Sequence, residues 1–133
     1  MGASVSRLTQ SQYFSPIFNT AVFDGPVRIY FSQKQEAYAL EVYFKISSQL
    51  RSIFGEALNR KGPSVFVMLH PKGEGYEESF NGSDLSFTVT PLDSDYVIGV
   101  NGQLSDGDLK TLIERVVQIY SKDQASSESE SRI

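Results

Sequence analysis

His70 is the only histidine in the sequence, and it stands where an apolar run over residues 65–69 ends. Pro71 follows it, so the imidazole lies where a buried strand gives way to a loop, a common position for active-site residues. General-base catalysis also needs an acid that orients the ring and a nucleophile within reach. The spacing of residues identifies neither of them. A small-molecule-binding or hydrolytic site near His70 is therefore the alternative hypothesis, and no catalytic residue is assigned.

Acidic residues flank the turn at Asn81-Gly82 and occupy the next turn along the chain. They are Glu74, Glu77, Glu78, Asp84, Asp93 and Asp95. Carboxylate oxygens bind Ca²⁺ and Mg²⁺, but these residues lack the spacing of a calcium-binding loop, and the chain has no cysteine to complete another kind of metal site. We predict no metal and no cofactor. The acidic residues are interpreted as solvated turns that offer an acidic surface to a basic partner.

Other catalytic motifs are incomplete. Gly73-Glu74-Gly75 follows a strand, but no helix and no Lys-Ser/Thr pair come after it, so a phosphate-binding loop is not indicated. No serine lies in the G-x-S-x-G context of a nucleophile. Whether the chain is an enzyme stays open at this point, with a non-enzymatic role favoured.

Composition limits the class of protein. The chain has 133 residues, of which 40% are hydrophobic and 21% charged, as expected for a single globular domain. A net charge of −4 disfavours nucleic acid as a partner. No apolar run approaches the roughly 18 residues of a transmembrane helix, and no secretory signal is visible. With no cysteine in the chain, we expect a cytoplasmic location.

Turn and capping signals divide the chain into elements. Asp24-Gly25 predicts a β-hairpin between two short apolar strands. Leu85, Phe87 and Val89 alternate with polar residues, which predicts a strand with these three side chains facing inward. Ser105, with Asp108 three residues later, predicts the start of a C-terminal helix. We predict a mobile segment over residues 1–19, one domain over 20–121, and a disordered, acidic, serine-rich tail over 122–133.

Residues 33–46 fit two periodicities. As a strand, they place Tyr38, Leu40 and Val42 on one face. As a helix, they place Leu40, Tyr43 and Phe44 on a stripe that continues to residue 57. The sequence leaves both interpretations open.

The predicted fold is α+β. An antiparallel meander sheet of about five to six strands, including one over residues 76–80, carries a central helix and a C-terminal helix on its surface. Residues 65–69 form a continuous apolar run, which predicts a central strand covered on both faces.

The stretch DSDYVIGVNGQLSDGDLKTLIERVVQIY, residues 93–120, resembles the closing strand, turn and helix of roadblock/LC7 domains. Longin and profilin-like folds share this ending. The resemblance implies a five-stranded antiparallel sheet with helices on its faces. It also implies dimerisation through a helix or an edge strand, and a role as scaffold or regulator of a small GTPase or motor. It transfers no functional residue.

The leading hypothesis is a non-enzymatic protein-interaction domain that forms homo- or hetero-oligomers. Seven Tyr and nine Phe are many for so short a chain, and exposed aromatic residues are enriched at interfaces. The candidate interaction residues are Tyr30, Tyr38, Tyr43, Glu74, Tyr76, Glu77 and Glu78.

The first six residues, Met-Gly-Ala-Ser-Val-Ser, match the pattern for N-myristoylation at Gly2. Peripheral membrane contact is expected only if Gly2 is acylated, and one acyl chain anchors weakly. A membrane-associated adaptor is therefore a further alternative.

Overall fold

Strands and helices are interspersed along the chain in the computed structural model, which describes residues 18, 20–24, 26–55, 63–72, 75–80 and 85–131. The strands are β1 (Thr20–Asp24), β2 (Val27–Phe31), β3 (Val65–His70), β4 (Phe87–Leu92) and β5 (Asp95–Asn101). The helices are α1 (Glu36–Phe54), α2 (Tyr76–Ser79) and α3 (Asp106–Ser131), and a 3₁₀ turn, Gln33–Gln35, leads into α1.

The five strands form one mixed sheet in the order β1-β2-β3-β5-β4. The three inner strands are parallel, whereas β1 and β4 pair antiparallel with β2 and β5. The α+β class is confirmed, but the antiparallel meander is wrong. A helix between two neighbouring strands returns the chain to its starting edge, so α1 makes β3 parallel to β2.

Residues 36–54 are helical, which settles the ambiguity in favour of the helical period. Ala39, Val42, Ile46 and Leu50 are fully buried and form the inward stripe of α1. The predicted helical stripe is wrong in its residues, however, because Leu40 and Phe44, which both interpretations placed on the apolar face, are 38% and 63% exposed. The β-favouring residues of this segment did not decide its structure, because tertiary packing can override local preference.

The main core lies between one face of the sheet and the two long helices. Val67 and Ile98 from the sheet pack there against Ile46 of α1 and Leu112 of α3. Phe87 and Val89 are half-buried against the same core as predicted, but Leu85 is 60% exposed and lies before the start of β4, so its predicted inward position is wrong.

A second, smaller core covers the opposite face of the sheet. Phe66 and Met68 of β3 contact Phe18, Tyr76 and Phe80 there. All six residues of β3 are consequently buried, which confirms the predicted central strand. The predicted strand over residues 76–80 is wrong, because Tyr76–Ser79 form the short helix α2. Tyr76 of this helix packs against Phe66 and Met68 of the sheet.

β1 and β2 form the predicted hairpin, in which Asp24 is the last residue of β1 and pairs with Val27. Residue 25 and the turn predicted at Asn81-Gly82 lie outside the described residues. Asp95, predicted to lie in a solvated turn, is buried, and its Oδ1 accepts a hydrogen bond from the Ser64 N–H at 2.9 Å. This contact joins the starts of β3 and β5.

The cap of α3 is confirmed, since the Asp108 N–H donates to Ser105 Oγ at 3.2 Å. Leu109, Leu112, Val116 and Tyr120 are the buried face of the helix. The helix continues to Ser131, so it extends through most of the tail that the sequence predicts to be disordered from residue 122.

Gly99 provides the clearest test of the smaller core. A Cβ built on Gly99 would overlap the ring of Phe80, whereas one built on Gly107 in α3 meets nothing within 4 Å. We expect Gly99→Ala to lower the free energy of unfolding by about 1–3 kcal/mol through overpacking. The matched change Gly107→Ala should raise it by about 0.5 kcal/mol, because alanine favours helix. Urea unfolding measures both free energies. Equal changes for the two variants would contradict close packing of the Phe80 ring against Gly99.

Candidate functional site

A groove runs between α1 and α3 on the outer surface of the helical layer. It comprises three adjoining depressions of about 380, 440 and 400 Å³, all of which include Gln49 and Ile113. Its lining residues are Phe44, Lys45, Ser48, Gln49 and Ile53 of α1, and Asp106, Leu109, Lys110, Ile113, Glu114, Val117 and Gln118 of α3. We call this surface the interhelical groove.

Apolar side chains line the groove although folding does not require them to be exposed. Phe44 is 63% exposed and Ile53 is 48% exposed. Ile113 and Val117 are half-buried, since they also pack against the main core. Single exposed apolar residues are common on protein surfaces, but a contiguous set beside a groove is typical of a binding surface.

The charged side chains of the groove balance one another. Lys45 and Lys110 are matched by Asp106 and Glu114. Lys45 forms an exposed ion pair with Glu41 at 3.4 Å, a contact that contributes little to stability. Within the described part of the chain, Lys110 and Glu114 form no ion pair with another residue.

The predicted tyrosines occupy different parts of the molecule. Tyr43 is half-buried on α1, and its ring makes an edge contact with Phe44 at 5.3 Å. Tyr30 is half-buried on the opposite face of the sheet, 6.4 Å from the ring of Phe66. Tyr76 is only 1% exposed, and its hydroxyl lies 2.6 Å from Thr88 Oγ1, so it is a core residue in this fold.

Tyr38 bridges α1 and the segment before α3. It is half-buried against the main core, and its hydroxyl oxygen accepts a hydrogen bond from the Leu104 N–H at 2.8 Å. Burial raises the pKa of Tyr38 from its ordinary value of 10.0, the Leu104 hydrogen bond lowers it, and the charge of Glu41 raises it, with a net upward shift. The hydroxyl therefore has a structural partner.

The acidic candidates do not come together into a described site. Glu77 is exposed on α2, while Glu74 and the side chain of Glu78 lie outside the described part of the structure, as does Gly2. Among the described residues, no group of three or more His, Asp and Glu side chains could hold a metal ion. Nor is any helix within those residues long and apolar enough to cross a membrane.

His70 is fully buried, and its ring lies among aromatic rings. The centroids of Phe18, Tyr76 and Phe80 are 4.9, 5.7 and 5.9 Å away. The carbonyl oxygen of His70 accepts hydrogen bonds from the Gly102 N–H at 2.8 Å and from Gln35 Nε2 at 3.5 Å. These hydrogen bonds of His70 connect the carboxyl end of β3 to the segments that follow β2 and β5.

Two buried oxygens lie beside His70 at this edge of the sheet. The register pairs Phe31 with Leu69, so the next residues, Ser32 and His70, occupy neighbouring positions. Ser32 Oγ and Gln35 Oε1 are buried, and neither has a hydrogen bond within the described structure. Buried polar atoms without partners are uncommon in folded proteins. This cluster at the ends of β2 and β3 is a second, smaller candidate site.

Sequence reasoning named Tyr43 but missed Phe44, Ile53 and Ile113. The helical interpretation of residues 33–46 had placed Phe44 on the apolar stripe, and only the observed inward stripe shows that this side chain faces outward. With Val42, Ile46 and Leu50 facing inward, a period of 3.6 places Phe44 on the outer surface of the helix.

No protein-family model, curated protein or solved structure matches this chain. The roadblock/LC7 resemblance stays a prediction, and the antiparallel sheet that it implies differs from the mixed sheet observed here.

Tyr38 gives a pH prediction with a definite sign. Its pKa is raised in the folded state, so its contribution to stability is complete below pH 10 and is lost as the pH rises through the folded-state pKa. We expect Tyr38→Phe to destabilise the protein by about 1–3 kcal/mol at pH 8, because the Leu104 N–H loses its acceptor.

The difference between the parent and Tyr38→Phe should shrink as the pH rises above 10. Thermal unfolding from pH 8 to pH 11.5 measures it, and Tyr30→Phe serves as a matched control. A difference that stays constant over this range would contradict the raised pKa of Tyr38 in the folded state.

Proposed function

We propose that this chain is a non-enzymatic protein-interaction domain that binds its partner through the interhelical groove. The observation that supports this most is the 63% exposure of Phe44 next to Ile113 in a groove that the two longest helices form. Such a domain acts by holding its partner, which suits a scaffold or a regulator.

The chemistry of the groove suits a protein partner. Aromatic anchors contribute strongly to interfaces, and burying a large apolar side chain stabilises a complex by about 1.5–3 kcal/mol. Ser48, Gln49 and Gln118 surround the apolar residues with neutral polar groups. An apolar centre with a polar rim is the usual arrangement of a protein–protein contact. A rigid helix pair also requires little ordering when a partner binds.

A photo-crosslinker tests the proposal. We expect p-benzoylphenylalanine in place of Phe44 to give one discrete covalent adduct when cells that contain the protein are irradiated. Ile53→Asp in the same chain should abolish the adduct, since it puts a charge into the groove without disturbing the buried stripe of α1.

The matched control places the crosslinker at Glu77, which is exposed on the other side of the sheet. The same adduct from position 77, or no adduct from position 44, would refute binding through the groove.

A second candidate function is the binding of a small polar molecule at the carboxyl ends of β2 and β3. Two features favour it. The chain leaves β2 towards the helical layer but leaves β3 towards the smaller core, and ligands of sheets with parallel strands bind where such connections diverge. In addition, Ser32 Oγ and Gln35 Oε1 are buried there without hydrogen bonds in the described structure.

Ser32→Ala tests this second candidate. If the hydroxyl is kept for a ligand, its removal should raise the free energy of unfolding of the ligand-free protein by about 1 kcal/mol, because a buried group without a partner is costly. Ser105→Ala, which removes a hydroxyl with a capping role, should instead destabilise the protein by about 1 kcal/mol. Urea unfolding measures both, and destabilisation by Ser32→Ala would count against a ligand site.

A further inference from the structure

We infer that the occupant of the interhelical groove is the groove of a second copy of this chain, arranged about a two-fold axis. The inference rests on the proposed function and specifies its partner. It depends on the placement of charge along α3.

The charge of the groove is self-complementary. Lys45 and Lys110 balance Asp106 and Glu114 on this surface, although the chain as a whole carries a net charge of −4. A strongly basic or acidic partner would gain little from a neutral groove. Two copies meet here without net repulsion, and the lysines of each can face the carboxylates of the other.

Lys110 and Glu114 are placed to pair across a two-fold axis. They lie one turn apart on α3 and flank Ile113, and neither forms an ion pair within the described residues. In an antiparallel pair of α3 helices whose axis passes at the level of Leu112, position 110 of each helix faces position 114 of the other. A two-fold interface makes each such contact twice.

Apolar contacts then form the centre of the interface. Ile113 lies within one residue of the axis level, so the two copies of this side chain pack on each other. Phe44 and Ile53, exposed on the neighbouring helix α1, flank this centre on both sides. Pairing of this kind, with an apolar seam and flanking ion pairs, is the general arrangement of antiparallel helices in coiled coils.

The helices are long enough for a stable contact. α3 has 26 residues and is about 39 Å long at 1.5 Å per residue. Among its described side chains, residues 106–122, the buried face comprises Leu109, Leu112, Val116 and Tyr120, and Lys110, Ile113, Glu114 and Val117 line the groove beside it. A stable interface buries about 1,200 Å² or more of accessible surface in total, and in a two-fold contact each of the two grooves contributes half of this area.

Charge reversal tests the arrangement on purified protein. Sedimentation velocity of the parent chain should show a dimer. Lys110→Glu and Glu114→Lys should each weaken the dimer at least about tenfold, because each places two like charges face to face. The double variant Lys110→Glu/Glu114→Lys should restore the parent affinity.

Matched controls change charge away from the groove. Arg115→Glu alters the net charge as Lys110→Glu does, on an exposed position of the opposite flank of α3. Glu77→Lys, on an exposed position of α2, changes the net charge by the same amount as Glu114→Lys. Neither control should change the dimer affinity, and circular dichroism should show that all variants fold.

Mixing the two single variants gives the most specific result. Each variant places like charges face to face in its own homodimer. In the mixed dimer, the two carboxylates at positions 110 and 114 of one chain face the two lysines at positions 114 and 110 of the other. Native mass spectrometry of an equimolar mixture should therefore show predominantly the heterodimer.

A monomeric parent chain at 100 µM, or a mixture without preference for the heterodimer, overturns the two-fold arrangement. The crosslink from position 44 separates this failure from failure of the proposed function. An adduct at twice the mass of one chain agrees with the dimer. An adduct of any other mass overturns the dimer and leaves a groove that binds a different protein.

Discussion

Burial of β3 on both faces is the constraint on which the rest of the structure depends. All six residues of this strand are buried, with Val65, Val67 and Leu69 on one side and Phe66, Met68 and His70 on the other. A strand without a polar face must be covered twice. The two long helices cover one side. The short helix α2, with Phe18 and Phe80, covers the other, and Gly99 allows the Phe80 ring to approach the sheet.

The same constraint explains how the candidate surfaces arise. α1 packs over β1 and β2 and connects β2 to β3 in parallel, so it has one inward stripe and an outward surface that carries Phe44. α3 lies beside α1 because β5, the other neighbour of β3, leads into it. The groove between the helices is thus a product of the parallel connection. The cluster around Ser32, Gln35 and His70 has the same origin, since it lies where the connections after β2 and β3 leave towards opposite faces.

Local signals predicted the elements that local chemistry controls. Asp24-Gly25 predicts a hairpin between two short apolar strands, and β1 and β2 form that hairpin. Ser105 predicts the start of α3 because its hydroxyl accepts a hydrogen bond from the Asp108 N–H. A helical period was visible in α1 as well, but the stripe through Leu40 and Phe44 was wrong, and an alternation typical of a strand was equally visible. Tyr76–Ser79 shows the limit of such signals, because this segment is too short for either period to be decisive.

The sequence by itself determined the α+β class, the double burial of residues 65–69, the hairpin and the cap of the final helix. Each of these depends on neighbouring residues or on the apolar content of one segment. Only the tertiary structure decided the strand directions, the exposure of Phe44 and the position of His70, whose ring makes edge contacts with three aromatic rings. These features depend on which distant segments pack together, and that packing is set by the free energy of the whole core rather than by any local pattern.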